Sequence, residues 1–206
     1  MVTMNYVAPR VRFRCTLCGE CCKRYWIPVT HVDVFRIAEY SGLSPEQFVT
    51  FFDKEMTTGW DYPEIRLANG RYYMILAKRP DGSCIFNRYT ESGRLICSVH
   101  PVKPLVCRFY PFVYWVKDDI VYFEVLDKAI GYCPGLGRGS YHEFSIETKA
   151  VEEIRRAKEE YRRIVSKWNR LVEKHVVEPT PQEFLKFLGT VYEARRLEEN
   201  EKKAAE

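Results

Sequence analysis

Cys15-Thr16-Leu17-Cys18-Gly19-Glu20-Cys21-Cys22 places four thiols within eight residues, and Cys84, Cys97, Cys107 and Cys133 bring the total to eight cysteines. A free cysteine packs as a small hydrophobe, and its reactivity usually explains its presence. Three cysteines spaced by three, with Gly19 between two of them, let one backbone turn aim several sulfurs at a common point. A metal ion or an iron–sulfur cluster asks for that geometry. The stretch therefore reads as the knuckle of a metal centre, and the rest of the fold is expected to bring the four later cysteines to it.

The chain has 206 residues, 46% apolar and 15% aromatic, enough to build a core without disulfides. The formal net charge of +4 gives little support for nucleic-acid binding. The N-terminus lacks an apolar signal-peptide core, and no run of 18 apolar residues suggests a membrane span. The expectation is a cytoplasmic protein, where reduced thiols favour metal over disulfide. Glutamine occurs only at Gln47 and Gln182 while Lys, Arg and Glu abound, which leans towards a thermophile. A thermophile cytosol tolerates disulfides, so paired cysteines are the bland alternative to a metal.

Outward from the knuckle, residues 1–14 read as an extended lead-in, with Val11 and Phe13 alternating with Arg12 and Arg14. Thr30 with Asp33 makes a helix start that Gly42 ends. Ser44-Pro45-Glu46-Gln47 has the form of a second helix start, with Phe48, Phe51 and Phe52 as its buried face. Asn69-Gly70 predicts a hairpin over 64–77 with both residues at positive φ. A second hairpin over 84–97 carries Cys84 on one arm and Cys97 on the other. Prolines at 101, 104 and 111 allow only a short turn near Leu105 to Arg108, presenting Cys107. Residues 112–126 suggest a third hairpin around Lys117-Asp118-Asp119. Cys133 lies in a glycine-rich loop without the Lys-Ser/Thr of a phosphate-binding loop. Residues 147–175 form a long amphipathic helix with apolar Val151, Ile154, Tyr161, Val165, Trp168 and Val172. Thr180-Pro181-Gln182-Glu183 opens a last helix, and 198–206 is expected to fray.

The predicted architecture is α+β: a small cysteine-cluster domain of short helices and β-hairpins, residues 1–145, with a helical extension, 146–206. Adjacent cysteines tend to point apart, so Cys21 and Cys22 are assigned to different sets. One partition is Cys15, Cys18, Cys21 and Cys133 against Cys22, Cys84, Cys97 and Cys107. The opening Cys-x2-Cys-x2-Cys matches a bacterial ferredoxin run, but Cys22 follows at once, without the three-residue spacer and proline. Zinc modules usually use two separated pairs, often with histidine. Three or four thiols on one knuckle favour iron–sulfur, with zinc as the alternative.

The run Cys-x2-Cys-x2-Cys-Cys, then Cys84, then Cys97-Ser98-Val99-His100-Pro101 through Cys107-Arg108-Phe109-Tyr110-Pro111, then Gly131-Tyr132-Cys133, resembles the YkgJ-like cysteine-cluster family. That family is described as a zinc- or iron-chelating domain and often labelled an iron–sulfur oxidoreductase. The resemblance covers about residues 13–135 and implies a metal-chelating role for all eight cysteines. Flagellin lysine methylases have a similar knuckle, which makes methyl transfer a related chemistry.

Cations near the cysteines, namely Lys23, Arg24, Arg88, Lys103 and Arg108, read either as charge balance for a thiolate cluster or as ordinary surface charge, with Arg108 the best candidate. His100 reads as exposed or capping rather than as a ligand. Tyr25, Trp26, Phe109, Tyr110, Phe112, Tyr114 and Trp115 are core residues that would also shield a cluster from water. Three functions follow: a redox iron–sulfur protein, of the 4Fe-4S type with one or two clusters and a redox or protein partner; a structural zinc module for partner or nucleic-acid binding; and a metal-dependent enzyme related to the methylases. No acid–base pair or nucleophile motif is visible, so no catalytic residue is assigned. The long helix offers a surface for homodimer or partner contact.

Overall fold

The computed structural model describes residues 5–92 and 94–204, the side chains of 195, 198–200 and 202–204 excepted. In chain order its elements are β1 (Asn5–Val7), β2 (Arg12–Phe13), α1 (Glu20–Arg24), α2 (His31–Ser41), β3 (Val49–Asp53), β4 (Ile65–Leu67), β5 (Gly70–Leu76), β6 (Asn87–Tyr89), β7 (Leu95–Cys97), β8 (Phe112–Lys117), β9 (Ile120–Val125), β10 (Leu136–Tyr141), α3 (Ser145–Glu173) and α4 (Pro181–Ala204). The fold is mixed α+β, with small sheets and hairpins followed by two long helices. No helix among the described residues is long and apolar enough to cross a membrane.

Packing divides the chain into two compact units, Met1–Ile27 with Lys78–Arg156 and Pro28–Ala77 with Ala157–Glu206. This differs from the expected division at 145/146. Composition changes where α3 begins, but packing changes inside α3, because its apolar stripe serves one unit before Arg156 and the other after it.

In the first unit, β8 and β9 form an antiparallel hairpin whose two-residue turn is Asp118-Asp119, both left-handed at φ 50° and 57°. Two such residues match the right-handed twist of the strands. The expected lead-in strand is broken: β1 pairs parallel with β9, while β2 pairs antiparallel with β10. The glycine-rich stretch after Cys133 thus becomes a strand rather than a loop, with Arg14 N–H bonded to Gly135 O at 3.1 Å. Rings fill the space beneath. Phe112 lies 5.4 Å from Phe13 and 4.7 Å from Phe144, and Phe123 is 4.9 Å from Phe144.

In the second unit, α2 has the expected capping box, Thr30 and Asp33 each accepting from the other's backbone N–H, and Gly42 closes it at φ 70°. Such a cap contributes about 1 kcal/mol. The second predicted helix does not form. Pro45–Gln47 makes one 3-10 turn, and Val49–Asp53 is a strand paired with Tyr72–Leu76 of β5. Val49, Thr50, Phe51 and Phe52 are β-branched or aromatic, and pairing with β5 satisfies their backbone better than one isolated helical turn. The β4–β5 hairpin forms, but Leu67 pairs with Gly70, so its loop is Ala68-Asn69 and Asn69 is not left-handed.

Helix α3 follows the predicted periodicity, and α4 begins where its predicted cap places it. Tyr161, Val165 and Trp168 are buried, and so are Phe184 and Leu188. Trp168 Nε1 donates to Arg66 O at 2.9 Å. Asn169 accepts from Arg66 N and donates to Glu64 O, both at 2.9 Å, so one amide satisfies the edge of β4. Thr180 Oγ1 accepts from Glu183 N at 3.2 Å at the start of α4. The backbone of α4 is helical through Ala204, while 205–206 lie outside the described residues.

Candidate metal centre

All eight cysteines belong to the first unit, and all are free thiols. The knuckle is built by backbone that few residues tolerate. Leu17 is left-handed at φ 55°, a conformation that costs a bulky residue roughly 1–2 kcal/mol. Gly19, at φ 73°, is the N-cap of α1, and an added Cβ there would stand 1.8 Å from Leu95 Cδ2. Only glycine satisfies both the dihedral and the contact. The short helix that follows carries Cys21 and Cys22.

The two adjacent sulfurs lie 3.9 Å apart, closer than side chains that point apart would place them. Their surroundings nevertheless differ. Cys21 is pushed well above the ordinary thiol range, by its contact with Cys22 first, then by burial, then by the charges of Cys22, Cys107 and Cys15. Cys22 is lowered to about 7, chiefly by the hydrogen bond from Cys21, against burial, with help from Asn87, Lys78 and Lys103. Burial pushes Cys84 up to about 11; Phe86 N–H opposes this, and Cys22 and Cys97 reinforce it. Burial also raises Cys97, against a bond from Val99 N–H, with Cys22 adding to the rise.

Two sulfur neighbourhoods result. Cys22, Cys84 and Cys97 share one, with Lys78 and Lys103 beside them. Cys21 faces Cys15 and Cys107, and the Tyr25 and Tyr110 hydroxyls feel both Cys21 and Cys133. The expected partition has Cys21 and Cys22 pointing apart, whereas their sulfurs lie side by side and each is the other's strongest influence. The charge of Cys107 is felt at Cys21. Cys84 precedes the β6–β7 hairpin, bridged to Lys78, and the residue paired with Cys97 is Asn87. The expected 3-10 turn Leu105–Arg108 does present Cys107. Cys15 and Cys18 are exposed, Cys84 is buried, and the others are half-buried. Among the described residues, no three Cys, His, Asp or Glu side chains already converge on the position of a single ion.

The surrounding polar atoms fit an added acceptor. Thr16 Oγ1, Tyr25 OH, Asn87 Nδ2 and Tyr110 OH are buried without a hydrogen-bond partner of normal geometry. A buried donor left unsatisfied costs about 1–3 kcal/mol, and here these atoms lie in the cysteine segments. Metal-bound thiolates, or the sulfides of a cluster, are acceptors that would satisfy them. A bound cation would also reverse the burial that holds Cys21 and Cys84 protonated, since coordination ionises a thiol outright. The donor set and its neighbours thus suit a thiolate-ligated metal.

The other candidates separate. Arg108 makes an ion pair with Glu153 at 2.9 Å. Lys78 Nζ donates to Lys23 O at 2.6 Å and lies 4.7 Å from the Trp26 ring centroid. Nothing local in the sequence marked Lys78, because only the bridge to Cys84 brings it to the sulfurs. His100 is exposed. The Tyr25 and Tyr110 rings lie 5.5 Å apart, tilted at 50°, and both hydroxyls feel Cys21.

Residues 14–134 match the family model CxxCxxCC, described as a "putative zinc- or iron-chelating domain". The chain belongs to the CxxCxxCC family. The matched span covers every cysteine of both sulfur neighbourhoods. The chain is also 26% identical over 130 residues to the uncharacterized protein MJ0661 of Methanocaldococcus jannaschii, covering 63% of this chain and 60% of that protein. No solved structure matches it.

Proposed function

We propose that this CxxCxxCC protein ligates iron–sulfur centres, one or two of the 4Fe-4S type, through Cys15, Cys18, Cys21, Cys22, Cys84, Cys97, Cys107 and Cys133, and works in electron transfer or as an oxidoreductase. The observation that carries the reading is the gathering of thiols around the adjacent Cys21 and Cys22, with Cys15 and Cys107 felt at Cys21 and with Cys84 and Cys97 feeling Cys22. An iron–sulfur centre supplies one-electron chemistry when bound. The chain's own residues would set its conditions. Lys78 and Lys103 place positive charge beside Cys22, which favours the more negative, reduced form. Tyr25 and Tyr110 keep water from the Cys21 side. The exposed Cys15 and Cys18 leave one edge open to a redox partner in a reducing compartment.

One observation favours zinc. A tetrahedral zinc–thiolate site with bonds of about 2.3 Å has sulfurs about 3.8 Å apart, and Cys21 and Cys22 stand 3.9 Å apart. The deciding measurement is metal and acid-labile sulfide content, with an absorption spectrum, on protein purified without oxygen. The expected result is brown protein with iron and sulfide in equal amounts, about four or about eight of each per chain. Colourless protein with stoichiometric zinc and no sulfide overturns the redox reading and makes the site a structural module.

A further inference from the structure

Beside the knuckle lies a cleft of about 380 Å³ lined by Arg14, Cys15, Thr16, Arg94, Arg138 and Gly139. Three of its six lining residues are arginines and none is acidic. Several other arginines of the same unit are engaged: Arg12 donates to Gly139 O, Arg24 pairs with Glu20, Arg79 donates to Ile85 O and Arg108 pairs with Glu153. Arg14, Arg94 and Arg138 have no side-chain hydrogen bond or ion pair among the described residues. Three exposed guanidiniums around one concavity give it a positive potential that an anion would neutralise.

The fold builds this convergence. Pairing of β2 with β10 sets Arg14 at the end of one strand and Arg138 within the other. Gly139 permits the approach, since an added Cβ there would stand 2.9 Å from Arg14 Cβ. Arg94 comes from a third place, the β6–β7 turn, where its N–H donates to Thr90 Oγ1 at 3.0 Å and its carbonyl accepts from Thr90 N at 2.8 Å. The planar fork of a guanidinium matches the paired oxygens of a carboxylate or phosphate. The volume falls within the range of small-molecule sites.

We infer that this cleft binds a small oxyanion, the phosphate or carboxylate end of a metabolite, through Arg14, Arg94 and Arg138. The arginines alone carry the binding. Its consequence, that the ligand's anionic end is held against the sulfur of a metal-bound Cys15, rests on the metal reading proposed above and makes the cleft its substrate subsite.

The test is calorimetric titration of the protein purified without oxygen with pyrophosphate and, separately, citrate, in 150 mM chloride, with metal content measured on every sample. Variants are Arg14→Gln, Arg94→Gln and Arg138→Gln, with Arg170→Gln of the second unit as a control for net charge. Saturable binding of one of the two anions is expected. Each cleft variant should weaken it by about tenfold or more, while Arg170→Gln leaves it unchanged and metal content stays constant throughout. The preferred probe tells phosphate from carboxylate. Absence of saturable binding overturns the inference, as does equal weakening by Arg170→Gln, or binding of a single-stranded oligonucleotide but neither small anion. Loss of metal from the cleft variants also overturns it, because the arginines would then balance the metal centre. Anion binding by protein that holds no metal would leave the inference standing and remove the metal reading instead.

Discussion

The two units solve the same problem with different materials. The second fills its interior with Ile37, Phe48, Ile65, Trp168, Phe184 and Leu188, and spends its interior amides on the chain's own carbonyls, as Asn169 does at the edge of β4. The first holds all eight thiols, and in their segments Thr16, Tyr25, Asn87 and Tyr110 carry buried polar atoms without a hydrogen bond of normal geometry. Buried polar atoms of this kind occur in both units, as Tyr161 OH does in the second, but in the first they lie in the cysteine segments, where a metal-bound thiolate would accept from them.

The difference is broken most directly by removing metal. Chelation under reducing conditions, or Cys18→Ser and Cys21→Ser, should cost the first unit several kilocalories, since metal binding and folding are one free energy in such sites. Amide exchange should show protection collapsing in β8–β9 and persisting in β3–β5. Equal loss in both sheets, or unchanged metal and melting temperature in the two serine variants, would contradict the distinction. The converse change is Trp168→Ala, which empties a fully buried site in the second unit. It should destabilise by about 3–5 kcal/mol in denaturant melts, with metal content unaltered.

Tyr110→Phe sharpens the distinction through a change of sign. In metal-free protein it deletes a buried hydroxyl that has no partner and should stabilise by about 1 kcal/mol; in loaded protein it removes a bond to a charged acceptor and should cost about 1.5–3 kcal/mol. Melts of both forms, side by side, read the two signs. The smallest effect is a pH dependence confined to the second unit. Burial tends to raise the Asp61 carboxyl, but Lys158, at 3.3 Å, and Arg162 outweigh it and hold it below its ordinary value. A lowered carboxyl pKa stabilises above the unfolded value, and that stability is lost as pH falls through the folded one. Because the Asp61 side chain is 70% exposed, the contribution should stay under about 1 kcal/mol. Asp61→Asn should flatten that acid limb in pH-dependent melts.

Local chemistry was legible wherever one stretch carried its own instructions. The Thr30–Asp33 cap, the Asp118-Asp119 turn, the Leu105–Arg108 turn and the α3 stripe each rest on residues a few positions apart. The failed helix at Phe48–Phe52 shows the limit. A serine–proline start is a weak local preference, and the pairing of Val49–Asp53 with β5 overrode it. The cysteines show the same boundary at the site. Their number and spacing are local facts, so a thiolate metal centre could be read from them. Which sulfurs share a neighbourhood depends on contacts spanning up to a hundred residues.

The sequence by itself determined that this is a cysteine-ligated α+β protein with capped helices and two-residue hairpins, because spacing, capping and turn chemistry act over a few bonds. Tertiary structure alone decided that α3 serves two units, that Cys107 is felt at Cys21, that Lys78 joins Lys103 near Cys22, and that three arginines from separate segments line one cleft. Those outcomes depend on which distant surfaces exclude water together, and no short stretch of chain encodes that.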